Sequence, residues 1–142
     1  MQQIGPIVIV DDDNDDIQVT TDAIKINYPE SIVRSFSRAE SFYEYLLNKS
    51  HDKPCLVFLD LNMPGRNGWD ILNELKKNND YRYIPIVMWT TSNSKNERIR
   101  SLDLGANCFI TKPSMFEQIS TVVFHAIELF CMETSKVSTR LQ

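Results

Sequence analysis

Five short runs of apolar and β-branched residues punctuate the chain: Ile7–Val10, Ser31–Phe36, Cys55–Leu59, Ile84–Trp89 and Asn107–Ile110. Runs such as IVIV and VFL show no alternation of apolar and polar positions, so strands made from them bury both faces. The segments between them have helical length and period. One helix is predicted over 14–27, opening in an acidic run that suits the positive end of its dipole. Another is predicted over 67–78, after the Met63-Pro64-Gly65 turn, and Gly105 marks the stop of the fourth helix. Three helices should start at capping boxes: Ser37 with Glu40, Ser94 with Glu97, and Ser114 with Glu117. The last helix should span 114–132. Five alternations of strand and helix predict an open α/β parallel sheet covered on both faces. Residues 1–132 are expected to form one domain and 133–142 a loose polar tail. There is no internal repeat and no linker.

Composition narrows the function classes. The 142 residues are 42% hydrophobic and 24% charged, with a net charge of -4, which describes a globular chain rather than a disordered one. No block of Lys and Arg offers a phosphate-binding stripe, so direct nucleic-acid binding is not expected. No apolar run reaches the roughly 18–20 residues that span a bilayer, and the N-terminus lacks a basic signal-peptide opening. Cys55, Cys108 and Cys131 are odd in number and widely spaced, and read as reduced core thiols in a cytoplasmic protein. His51 and His125 are too isolated to suggest a metal pair.

Candidate chemistry gathers where such sheets place it, beyond the carboxyl ends of the strands. Asp11, Asp12 and Asp13 follow the first run, Asp60 the third, Thr90 and Thr91 the fourth, and Lys112 with Pro113 the fifth. Carboxylates brought that close repel one another unless a cation intervenes. Mg2+ suits the place, because it takes oxygen ligands and is usually held by one or two carboxylates plus a phosphate. Asp15 and Asp16 read as dipole-stabilising residues of the following helix, and Asp13 as its cap. Asp60 could cap a turn, Thr90 could be an ordinary strand residue, and Lys112 an ordinary surface lysine. Together they offer a phosphoryl group on Asp60 what it needs: a cation on one side, an ammonium on another, a hydroxyl between.

The stretches IVIVDDDNDD, VFLDLNMPGRNG, IPIVMWTTS and GANCFITKP resemble the receiver domains of bacterial two-component response regulators, and span nearly the whole chain. The resemblance implies a flavodoxin-like, doubly wound five-stranded sheet of order 2-1-3-4-5. It implies Asp60 as phosphoacceptor from a histidine kinase or phosphotransfer protein. Mg2+ (with Mn2+ able to replace it) would be held by Asp12, Asp60 and the backbone carbonyl of Asn62, with Asp11 acting mainly through water. Thr90 and Lys112 would contact the phosphoryl group, the Lys112–Pro113 bond would be cis, and Phe109 would turn inward as Thr90 shifts. Phe109 equally fits an ordinary strand aromatic. Thr91 and Trp89 are larger than expected next to the site; Trp89 reads as core. Ser92 and Asn62 stand where the family tunes dephosphorylation. The chain is similar to the small regulators paired with phytochrome-type kinases.

Rival patterns fit less well. IVIVDDD matches the opening of haloacid-dehalogenase-like phosphatases, with Asp11 as nucleophile and Asp13 as acid/base, but leaves Asp60 unexplained. Asp11, Asp13 and Asp15 have EF-hand spacing, yet Asp16 replaces the turn glycine and Asp22 the bidentate glutamate. A dead pseudo-receiver should have lost an acid or the lysine, and none is missing. Output is expected through contact of the fourth helix, fifth strand and fifth helix with a downstream protein or a second copy. Val122, Phe124 and Leu129 are candidates for an exposed apolar patch there.

Overall fold

The computed structural model describes residues 4–132. In chain order the elements are β1 Ile7–Val10, α1 Asn14–Asn27, β2 Val33–Phe36, α2 Ala39–Leu47, β3 Leu56–Leu59 and α3 Gly68–Lys77. They continue with β4 Ile86–Thr90, α4 Lys95–Asp103, β5 Cys108–Thr111 and α5 Phe116–Ile127, which runs into a π-helical turn, Glu128–Met132. The strands pair in parallel in the order β2-β1-β3-β4-β5, as the resemblance implied. The expected tail from 133 lies outside the described residues.

Side chains alternate across a strand, and in β1, β3 and β4 both sets are apolar, so the sheet feeds two cores. Val8, Val10, Val57, Leu59, Ile86 and Met88 pack against Phe42 of α2 and Ile71, Leu72 and Leu75 of α3. Ile7, Ile9, Leu56, Phe58, Val87 and Trp89 pack on the other face against Ile24 of α1 and Ile119, Val123 and Ile127 of α5. Each such buried side chain contributes on the order of 1.5–3 kcal/mol of transfer free energy. Trp89 is core, as expected: its ring meets Phe58 edge-on and its Nε1–H donates to Thr20 Oγ1 at 3.1 Å. Helix α4 is the loosest element, burying Ser101 while Ile99 and Leu102 stay exposed.

Helix starts depart from the sequence reading. Asp13 caps α1, its carboxylate accepting from the N–H groups of Asp15 and Asp16. Ser94 caps α4, but the Glu97 side chain turns to the Ser92 hydroxyl at 2.6 Å rather than completing a box. Ser37 and Ser114 do not cap at all: α2 and α5 start one residue later than those boxes require, behind Arg38 and Met115. The complete box is at Asn67 and Asp70 of α3, where Asn supplies the cap oxygen in place of Ser. Gly105 adopts φ +107 after α4, the positive region open to glycine.

The expected apolar patch is also smaller than its sequence suggested. Val122 packs on the core and Phe124 stacks on Tyr28 with ring centroids 5.9 Å apart, leaving Leu129 exposed. The Tyr28 hydroxyl in turn donates to Glu128 at 2.6 Å, pinning the π-helical turn to the end of α1. The three cysteines are half-buried free thiols. Cys55 and burial push the Cys131 thiol up, while Cys131 lowers Cys55. His51 and His125 are exposed, against Tyr45 and Phe124 respectively.

Candidate functional site

Strand register builds the site. Val10 pairs with Leu59 and Thr90 with Thr111, so Asp11, Asp60 and Lys112 each leave the sheet just past a paired position. The ladder continues into them: Asp11 N–H donates to Phe36 O at 3.0 Å, Asp60 N–H to Val10 O at 2.8 Å, and Lys112 N–H to Thr90 O at 2.6 Å. Backbone bonds of this kind fix where each side chain starts, and all of them start on one rim. Asp11 and Asp60 are buried at 1% and 8% exposure, while Asp12 is exposed. The Asp11, Asp12 and Asp60 carboxylates offer oxygens that all lie within 4.8 Å of one another.

One cation serves this acidic crevice. The Lys112 ammonium donates to Asp11 Oδ2 at 2.7 Å and to Asp16 Oδ2 at 3.1 Å. Burial works against its charge, but the hydrogen bond and charge of Asp11, with Asp60 and Asp16, outweigh burial and leave its pKa raised. Asp60 moves the other way for a carboxylate: burial first, then the Asp11 charge, push it up to about 7 against the pull of Lys112 and the Asn62 backbone N–H. Partly desolvated carboxylates with one ammonium among them are short of positive charge, and an all-oxygen donor set suits a hard divalent ion. The residues present fit Mg2+ or Mn2+.

The profile of the response regulator receiver domain matches residues 7–124. The chain belongs to this family. Response regulator Rcp1 of Synechocystis sp. is 33% identical over 90% of this chain and 89% of its own length. The phosphorylated cyanobacterial phytochrome response regulator RcpA has a similar fold, with TM-score 0.79 and 28% identity, covering 87% of this chain and 91% of that one. A Mn(2+)-bound form of Rcp1 gives TM-score 0.75 at 28% identity, over 87% of this chain and 91% of that one.

The structure places the other residues singled out by sequence, with one correction. Thr90 ends β4 fully buried, and its Oγ1 accepts from the Ser92 N–H at 3.2 Å. The Lys112–Pro113 bond, expected cis, is trans; the cis X-Pro bond among the described residues is Gly5–Pro6. Trans is favoured at X-Pro by about 0.5–1 kcal/mol, and Lys112 reaches Asp11 without the cis form. Phe109 lies inward here at 3% exposure, with the Arg98 guanidinium 5.0 Å over its ring and bonded to its carbonyl. Thr91 is exposed and lines a crevice with Asp16, Val19 and Lys112.

The rival chemistries lose their key residue. Asp13, the acid/base of the phosphatase reading and a ligand of the EF-hand reading, spends its carboxylate on capping α1. Asp15 lies in the first helical turn and, like Asp13, is absent from the acid cluster. Sequence reasoning missed two residues of the site. Gly68 starts α3 so close to the loop after β3 that a Cβ there would lie 2.4 Å from the Asp60 carbonyl oxygen; the Asn67-Gly68 pair in MPGRNG was the available signal. Asp16, read as a helix-dipole acid, reaches back to Lys112. Nothing in its spacing distinguished it from Asp15.

Proposed function

We propose that Asp60 accepts a phosphoryl group from a phosphohistidine of a histidine kinase or phosphotransfer protein, and that the phosphorylated chain signals by protein contact. The observation that carries this reading is Asp60 itself: a buried carboxylate at a strand end, beside Asp11 and Asp12, with Lys112 held by Asp11. An Asp60 oxygen forms the new O–P bond as the N–P bond of the donor breaks, and that electron pair stays on the imidazole nitrogen. Lys112 turns an N–H toward a phosphoryl oxygen. Thr90 keeps its acceptor bond from Ser92 and has its own hydroxyl hydrogen to donate. Bound at Asp12, Asp60 and the Asn62 carbonyl, with Asp11 acting through water, Mg2+ or Mn2+ supplies the positive charge these carboxylates and the phosphoryl oxygens lack. The domain is a phosphoacceptor rather than an enzyme, since the phosphoryl group ends on its own side chain. It would work in the cytoplasm, where such donors are made.

Output would leave through α4, β5 and α5. Thr90 is tied to the start of α4 through Ser92, whose hydroxyl donates to Glu97 and whose carbonyl accepts from Thr111 Oγ1 at 2.7 Å. A shift of Thr90 therefore pulls on α4, where Ile99 and Leu102 are exposed, as are Met115 and Phe116 at the head of α5. By linkage, a partner that prefers the shifted state also favours phosphorylation. The test is incubation with acetyl phosphate and Mg2+. Wild type should gain one base-labile phosphoryl group and Asp60→Asn none. Steady phosphate release that survives Asp60→Asn but not Asp11→Asn would overturn the reading in favour of a phosphatase.

A further inference from the structure

Lys112 is engaged twice, and one of the engagements lies outside the acceptor crevice. Its ammonium bonds Asp11, which belongs to the acid cluster, and Asp16, which does not. Asp16 sits in the first turn of α1, just behind the Asp13 cap, and its side chain is 41% exposed where that of Lys112 is 9% exposed. A residue whose only task was to favour the helix dipole would need no such partner, and Asp15 in the same turn has none among the described residues.

We infer that Asp16 is the resting seat of the Lys112 ammonium and competes with the incoming phosphoryl group for it. This rests on Asp60 being the phosphoacceptor. Two of the three ammonium hydrogens are committed in the resting site, and one of those bonds goes to α1 rather than to the acid cluster. This engagement holds the unphosphorylated state and slows acceptance until Lys112 leaves Asp16. Asp16 is thus a positioning residue, acting on the reaction through Lys112.

The experiment compares wild type, Asp16→Asn and Asp16→Glu for the initial rate of labelling by acetyl phosphate, and for Mg2+ affinity by calorimetry. Asp16→Asn should label roughly two- to fivefold faster, the size of one partly screened ion pair, while binding Mg2+ no more tightly. Asp16→Glu, which keeps the charge, should return the rate toward wild type. Loss of a dipole-favouring acid would lower stability without raising the labelling rate, so the split between rate and metal affinity separates the two roles. Labelling of Asp16→Asn at or below the wild-type rate overturns the inference and leaves the acceptor reading intact. So does a rate gain matched by tighter Mg2+ binding, which would trace the effect to the metal. If wild type takes up no phosphoryl group, or takes it up equally in Asp60→Asn, the acceptor reading falls and this inference with it.

Discussion

Asp11 and Asp60 stand side by side because the residues before them, Val10 and Leu59, are register partners in adjacent parallel strands. The carboxyl ends of β1 and β3 thus hold two buried carboxylates together, and Asp60 bears the consequence, with its pKa pushed up to about 7 from the usual 3.8 by burial and then by Asp11. In the metal-free folded protein Asp60 keeps a proton, between about pH 4 and pH 7, that the unfolded chain has released. This contribution to stability is full at the acidic end, fades as pH rises through 7, and is gone above it. Asp60→Asn removes the ionisation, so in chelator its advantage over wild type should grow from pH 5 to pH 8. The full shift corresponds to about 4 kcal/mol, and water entering the crevice reduces this to about 1–3 kcal/mol at pH 8. Denaturant melts at the two pH values check it, and an advantage that shrinks with rising pH would refute it.

Lys112 is the resident cation of the crevice, so it opposes an incoming one. Lys112→Gln should bind Mn2+ several-fold more tightly than wild type, because a partly screened positive charge near the acids is worth about 1 kcal/mol. The same change should reduce phosphoryl uptake, since an amide replaces the ammonium facing the phosphoryl oxygens. Without metal it should also destabilise the fold, leaving Asp11 buried beside Asp60 without its 2.7 Å partner. Metal titration and acetyl phosphate labelling of the one variant would show the two effects moving in opposite directions.

Phe109 makes a distinction that sequence could not. A ring waiting outside to swing inward would be dispensable in the resting protein. Here the ring is part of the core with Met88 and Ile71, under Arg98. Phe109→Ala should therefore cost the unphosphorylated protein about 3–5 kcal/mol, and Arg98→Ala about 0.5–1 kcal/mol for the cation–π contact. A loss below 1 kcal/mol in Phe109→Ala, read from equilibrium unfolding, would restore the swinging ring.

The sheet was legible because β1, β3 and β4 need apolar residues on both faces, and unbroken runs such as IVIV report that need directly. The acids and Lys112 were legible for a related reason: strand ends in parallel sheets converge on one rim, so residues at those ends meet whatever separates them in sequence. Helix starts were harder. Ser37 and Ser114 have box spacing, yet which serine becomes a cap depends on where the chain leaves the preceding strand, and α2 and α5 start too late to use them. The apolar breadth of α5 likewise overstated its exposed face, since Tyr28 at the end of α1 covers Phe124. The Lys112–Asp16 and Arg98–Phe109 contacts are made by the long side chains of Lys112 and Arg98 reaching another element, and no local pattern encodes such a reach.

Gly68 carries the last expectation. It begins α3, where an alanine would ordinarily stabilise a helix relative to glycine by about 1 kcal/mol. Its backbone instead lies against the loop after β3, its N–H donating to Leu61 O at 2.9 Å. A Cβ would come within 2.4 Å of the Asp60 carbonyl oxygen, 2.8 Å of the Leu61 Cα and 3.0 Å of the Met88 Cε. Met88 has a flexible end that can give way, but the first two contacts are backbone and cannot relax without moving Asp60 or the start of α3. The clash outweighs the propensity gain, so Gly68→Ala should lower stability by about 1–3 kcal/mol. Because the displaced backbone belongs to Asp60, phosphoryl uptake should fall as well, even under conditions where the variant is fully folded. The control is Gly65→Ala: nothing lies within 4 Å of a Cβ there, and the strain comes from φ +78. That substitution should lose stability through backbone strain of about 1–2 kcal/mol while leaving Asp60 in place. Labelling rates measured on both variants below their melting temperatures should therefore drop for Gly68→Ala and hold for Gly65→Ala.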